Sequence, residues 1–437
     1  MLTNIRAGAK WLSEREIWLL IPAIALTMFR PTWAPWGLML CGLLWLVRWV
    51  GQGYLTVQTP LDRPIILLLL MMPVTFLATT DFRLTINNVS WLLAGLAVYY
   101  GIVNWIKHSA QVALLGLGIS AFGLLLSVSA PFIVRWFVDK KQFLGVPPVL
   151  YNLMPTLVDD TVHPNMMAGA LVMLLPFSFA LFITSVARPW PVKRYFLDCR
   201  VCLFSTRWFQ ILIHGSASLV MSIILFLTKS RGGWLAATAV FFLVLVRQWK
   251  CLLGLLVLLP VSIVWLASQH WLNTLLNTIA TSGTISGIEG RLEVWSRALY
   301  MIQDFPFTGV GMGTFQSVAN ALYPFFLAGP NAEIPHAHNL LLQVGVDLGV
   351  PGLVAFIAIL ILVTWSAMRS LMYYGRLREE FMTTMAWAGL VSIGGMLIHG
   401  MVDATTWAVG RGAFVPFIVY GVLIALEQRP QKRSSTD

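Results

Sequence analysis

Apolar stretches long enough to cross a bilayer recur along nearly the whole of this chain, broken only by short runs of charged residues, proline or glycine. A hydrocarbon core about 30 Å thick asks for roughly 20 apolar residues per helix, somewhat fewer where flanking side chains snorkel. Cutting the sequence at its charges and turn residues gives about twelve spans, near 17–30, 34–50, 64–79, 88–106, 109–134, 165–187, 209–228, 232–247, 251–268, 338–366, 382–400 and 412–426. Lipid offers backbone amides no partner, so such spans are helices. The chain is therefore expected to be an all-α polytopic membrane protein, one integral domain over 1–437 with no soluble domain appended.

Composition agrees. With 58% hydrophobic residues, 11% charged residues and a mean hydropathy of +0.78, the chain is excluded from the soluble globular class. The first apolar run, Ile17 to Phe29, has no small-residue cleavage site and many spans follow it, so it reads as a first helix and not a removed signal. Cys199-x-x-Cys202 lacks a second pair to complete a tetrahedral zinc site, and no metal is expected there.

Lysine and arginine placement sets the expected orientation. With the N-terminus cytoplasmic, inside segments hold 19 of the 29 Lys and Arg, five of them in the stretch 188–208, and an even number of spans puts both termini inside. The net charge of +11 is then a topology signal and not a nucleic-acid footprint. Two outside segments are long, 135–163 and 269–337, and the second, between spans nine and ten, is large enough for structure of its own. Within it Leu292, Trp295, Leu299 and Ile302 recur at helical spacing, predicting an amphipathic surface helix over 285–303 with Ser286 as N-cap.

The residues with chemical reach fall on this same face. His336-Ala337-His338-Asn339 stands where the long outer segment re-enters the membrane. A helix start and nearby arginines both disfavour imidazolium, so His338 is expected to stay neutral and to accept a proton. His336 reads as a positioning residue and Asn339 as a cap or a substrate-orienting group. Arg231, in Lys229-Ser230-Arg231-Gly232-Gly233, and Arg291, on the surface helix, offer planar forks that bind phosphate oxygens in pairs. Asp347 is a carboxylate at membrane depth. Pro351 cannot donate to its carbonyl, so the helix should bend there, while Gly349 and Gly352 permit a close helix crossing. His399 and Asp403 are four apart and can pair on one helix face. His163 marks the start of span six. Gly309-x-Gly311-x-Gly313 has no βαβ unit around it and reads as a turn.

The run His338-Asn339-x9-Gly349-Val-Pro-Gly352 resembles the signature of the O-antigen ligase superfamily of membrane glycosyltransferases. Ser230-Arg231-Gly232, Gly290-Arg291-x-x-x-Trp295 and Asp304-x-Pro306-x-x-Gly309-x-Gly311-x-Gly313-Thr-Phe315 extend the resemblance over roughly 160–366. It implies a GT-C type fold in a bacterial inner membrane with a periplasmic active site. It also implies a metal-independent, cofactor-free enzyme that moves a glycan from undecaprenyl diphosphate to a lipid A-core sugar hydroxyl. Carried over by motif, His338 would be the general base and Arg231 and Arg291 would hold the diphosphate, with Lys229 beside them. His336, Asn339, Asp347, Asp403 and Arg297 would support, and Arg297 could exchange importance with Arg231. A polymerase of the same superfamily shares these motifs. A secondary transporter is the reading from another class, with Asp347 as its pointer, but the long loop 269–337 has no counterpart in the first half.

Overall fold

The computed structural model describes residues 2–29, 33–137, 148–152, 154, 157, 161–187, 206–249, 288–327, 329, 333–407, 410 and 412–434. The expected ninth span, Ser286, Arg411 and the Cys199-x-x-Cys202 pair lie outside the described residues.

In chain order the helices are α1 (Leu2–Ser13), α2 (Glu16–Phe29), α3 (Ala34–Gln52), α4 (Asp62–Ala78), α5 (Phe82–Trp105), α6 (Ser109–Ile133), α7 (Pro148–Asn152) and α8 (Pro164–Ala187). They continue as α9 (Arg207–Leu227), α10 (Arg231–Gln248), α11 (Ile288–Asp304), α12 (Phe315–Leu322), α13 (Leu340–Arg376), α14 (Glu380–Gly400) and α15 (Val415–Ser434). The sole extended pairing among the described residues is a parallel bridge between Val134 and Val162. The described chain is thus all-α, and six of its helices (α5, α6, α8, α9, α13 and α14) are long and apolar enough to cross a membrane. Eleven of the twelve expected spans coincide with a helix, though several of these helices fall short of that length and apolarity.

Helices α8 and α14 form the centre. They pack on each other and are wrapped by α6, α9, α10, α13 and α15. Outward side chains such as Ile66, Leu70 and Leu77 of α4 are apolar and exposed, as suits helices whose solvent is lipid. The N-terminal α1, absent from the span pattern because it is amphipathic, lies against α3. There the buried Arg48 and Glu16 side chains pair, and Arg48 also donates to the Ser13 carbonyl.

Helix α13 does not run straight. At Gly349 the backbone leaves the helical region for φ 65°, ψ −170°, two residues before Pro351. The outer segment fills this break: Val350 N–H donates to the Pro306 carbonyl (2.7 Å) and Val310 N–H to the Val346 carbonyl (2.8 Å). A Cβ on Gly349 would stand 2.6 Å from the Pro306 oxygen, and one on Gly309 would meet the backbone of Asp347 and Leu348. The close approach expected at Gly349 is therefore made by a loop and not by a crossing helix. Gly352 faces Leu348 of its own helix.

The surface helix also differs from its expected stripe. Val294, Ala298 and Met301 are its buried face, whereas Leu292 (55% exposed) and Leu299 (48%) point outward. The inward face packs on α13. The helix is apolar on two sides because it has a protein neighbour that periodicity alone does not reveal.

Candidate active site

Asn339 fixes where α13 begins. Its Oδ1 accepts the N–H groups of Leu341 and Leu342, each at 3.1 Å, as an N-cap should. Its Nδ2 donates to the Met401 carbonyl at 3.3 Å, tying the start of α13 to the end of α14. Just before the cap, His338 is held in the left-handed region at φ 48°. A residue with a Cβ pays of order 1–2 kcal/mol for that conformation, which persists when its surroundings enforce it. Two contacts do so: Trp295 Nε1 donates to the His338 carbonyl at 3.4 Å, and the His338 N–H donates to His336 Nδ1 at 3.2 Å. Among the described residues, Lys229 (φ 52°) is one of two other non-glycine residues in this region.

Because His336 accepts at Nδ1, its neutral ring carries hydrogen on Nε2, and Nε2 lies 3.8 Å from Asp403 Oδ1. The His336 and His338 rings meet edge to face, with centroids 4.3 Å apart. Asp403 is buried and well supplied with donors. Ala404 N–H (2.8 Å) and Thr405 N–H (3.2 Å) reach its Oδ1, and Asn165 Nδ2 reaches its Oδ2 at 2.6 Å. The start of α8, the segment before α13 and the segment after α14 thus meet at one carboxylate.

The electrostatics separate the roles. Burial lowers His338, the neighbouring His336, Arg291 and His163 lower it further, and only Asp403 opposes, leaving it at about 3. Burial likewise lowers His336, with Asp403 opposing and Arg291 adding to the fall. Burial alone would raise Asp403, but His336, His399, His338 and the Asn165 amide outweigh it and hold the carboxyl at about 2. Near neutral pH the cluster is one carboxylate facing neutral imidazoles.

The cations divide in two. Arg291 is half-buried, and its affinity for the proton is lowered by burial, opposed by Asp403 and lowered again by Arg231. It thus lies within electrostatic reach of both the carboxylate and the second guanidinium. Neither Arg291 nor the exposed Arg231 has a hydrogen-bond or ion-pair partner among the described residues. Arg231 opens α10, where Ser230 Oγ caps the helix by accepting Gly233 N–H at 3.3 Å. The following Gly232 makes room for Val402 and the His399 ring, and Gly233 for Ala168, so this glycine pair serves helix packing.

Lys229 and Arg297 are engaged elsewhere. Lys229 is buried, lies 4.5 Å over the Tyr151 ring and donates to the Phe137 carbonyl at 3.4 Å. Arg297 pairs with Glu293 (3.3 Å), donates to the Pro324 carbonyl (3.1 Å) and covers the Phe326 ring. Glu293 in turn accepts the N–H groups of Phe326 and Leu327. Arg297 thus secures the segment after α12.

Asp347 ties three elements together. It accepts from Gly313 N–H (3.2 Å), from Gln343 Nε2 (2.9 Å) and from Trp407 Nε1 (2.9 Å), joining the outer loop, α13 and the segment after α14. Sequence reasoning gave neither Trp407 nor Asn165 a role. Neither sits in a motif, and each matters through a partner more than 50 positions away.

Ligand atoms of His336, His338 and Asp403 all lie within 4.8 Å of one another, a donor set that suits a transition metal. Arg291, coupled to the same three groups, adds positive charge where a cation would sit. With a neutral base within electrostatic reach of Arg291, which has no partner among the described residues, the cluster can deprotonate a hydroxyl and neutralise an anionic leaving group.

Residues 216–357, which hold Arg231, Arg291, His336 and His338, match a family model described as O-Antigen ligase. No curated protein matches the chain.

Proposed function

We propose that this chain, a member of the O-antigen ligase superfamily, transfers a glycan from undecaprenyl diphosphate to a lipid A-core sugar hydroxyl at the periplasmic face of the inner membrane. The observation that carries this reading is that Arg291 lies within electrostatic reach of His338, of the ionised Asp403 and of Arg231, and that neither guanidinium has a partner among the described residues. His338 takes the proton of the acceptor hydroxyl. The freed oxygen lone pair attacks the anomeric carbon, the bond from that carbon to the diphosphate oxygen breaks, and the configuration inverts. The leaving diphosphate keeps the bonding pair, and Arg231 and Arg291 meet its charge.

Positive charge on the donor side is supplied by arginine, so the reaction runs without a metal. Asp403 and His336 position His338: Asp403 turns the Nε2–H edge of His336, and His336 accepts the backbone N–H of the base. The test is reconstitution of purified protein with lipid-linked donor and lipid A-core. One glycan added per acceptor, with no lengthening of the donor, supports the ligase. Donor lengthening without the acceptor assigns the chain to polymerisation instead.

A further inference from the structure

A second wall faces the histidines, built by the outer segment between α6 and α8. Arg135 N–H donates to the Val162 carbonyl (3.0 Å) and Val162 N–H to the Ile133 carbonyl (2.8 Å). This clamp brings Phe137 beside His163, with ring centroids 5.5 Å apart at 51°. Phe137 is 36% exposed and His163 is exposed as well. The Arg135 guanidinium lies 5.6 Å from the Phe137 centroid.

Two connections join this wall to the site. Lys229 donates to the Phe137 carbonyl, and Lys229 belongs to the turn that carries Arg231. His163 Nδ1 accepts the N–H of Asn165, whose side chain holds Asp403, and His163 lies within electrostatic reach of His338. The wall is therefore tied on one side to the turn that carries Arg231 and on the other to the cluster that holds the base.

We propose that Phe137 and His163 form a stacking platform for the sugar ring attached to the diphosphate. A partly exposed aromatic ring with a guanidinium over it and an imidazole beside it matches a pyranose, which offers an apolar C–H face and a rim of hydroxyls. A lipid tail uses neither rim group, and a bare diphosphate uses no ring. The platform rests on the diphosphate reading of Arg231 and Arg291. It adds the recognition of the donor's first sugar.

The test compares two probes on the purified full chain, undecaprenyl diphosphate without sugar and the same lipid diphosphate carrying its glycan. Phe137→Leu, which keeps apolar volume but removes the ring, is expected to weaken binding of the glycan-bearing lipid roughly three- to tenfold while leaving the bare lipid unchanged. Phe137→Tyr is expected to retain both affinities. Equal weakening of both probes by Phe137→Leu, or no weakening of either, overturns the platform. Arg291→Ala is expected to weaken both probes. If it leaves both unchanged, the diphosphate reading fails whatever Phe137→Leu does.

Discussion

Asp403 faces the ring edge of His336 across 3.8 Å, and the far side of that ring accepts the backbone N–H of His338. A carboxylate, an imidazole and a backbone amide thus stand in series, and none of them hydrogen-bonds to His338 Nδ1, although the His336 ring packs edge to face on the His338 ring. That side chain is aimed by a left-handed backbone fixed from two directions, by His336 and by Trp295.

Replacing His338 should therefore separate chemistry from binding. His338→Ala is expected to lower the transfer rate by about 10²- to 10⁴-fold, the usual contribution of a general base. Donor affinity, measured by direct binding of the lipid diphosphate, should stay close to wild type. Near-normal turnover in this variant would show that another group takes the proton.

The pH profile gives an independent check. The lowered value of His338, about 3, keeps the ring neutral from pH 8 down well past its ordinary 6.5. The kcat/KM of the wild type should be flat through pH 6.5. Arg291 lowers His338, so Arg291→Gln should move the acid limb upward, whereas Asp403 raises it, so Asp403→Asn should move the limb down. Stability follows the same sign. The unfolded state binds more protons between 6.5 and 3, so stability is complete above 6.5 and declines as pH falls through that window. A wild-type limb centred near 6.5 would contradict the buried, cation-flanked setting.

Much of this was readable in the sequence. The succession of apolar runs specified helices because lipid allows little else, and His338, Arg231 and Arg291 each sit in a short motif beside a helix end. What escaped depends on distant partners. Gly232 and Gly233 beside Arg231 suit close approach by a backbone or a lipid head, yet Val402, His399 and Ala168 fill that space. Arg297 and Arg291 look alike on one helix, but only the first has Glu293 one turn away and Pro324 beside it. Asn165 and Trp407 carry no local signature, and only tertiary packing brings them to Asp403 and Asp347.

The two arginines of the surface helix should behave differently. Arg291→Ala removes a guanidinium with no protein partner among the described residues, and is expected to weaken donor binding about tenfold or more. Arg297→Ala breaks the pair with Glu293 and should cost about 1 kcal/mol of stability while leaving donor affinity unchanged. Thermal unfolding and lipid-diphosphate titration on both variants check the split. Weakened donor binding in Arg297→Ala without loss of stability would move the phosphate site.

Metal dependence is a separate question at the His336, His338 and Asp403 donor set. If arginines supply the charge, dialysis against a strong chelator should leave the transfer rate unchanged. Loss of activity that one added divalent cation restores would replace the arginine account with a metal-assisted one.

The break in α13 should be as important to folding as any core contact. Gly349 combines φ 65° and ψ −170°, a conformation essentially reserved for glycine, with a backbone oxygen 2.6 Å from where a Cβ would stand. The loop it admits carries Gly313, whose N–H reaches Asp347, so a shift here also loosens the Asp347 connection to Trp407. Gly349→Ala is expected to cost about 3 kcal/mol. Gly375→Ala, in the same helix with open space around it, should be neutral or stabilising by up to about 1 kcal/mol. Thermal unfolding of the two variants in detergent measures the contrast. Equal stabilities would mean that the 305–313 segment does not seat on α13 through Gly349.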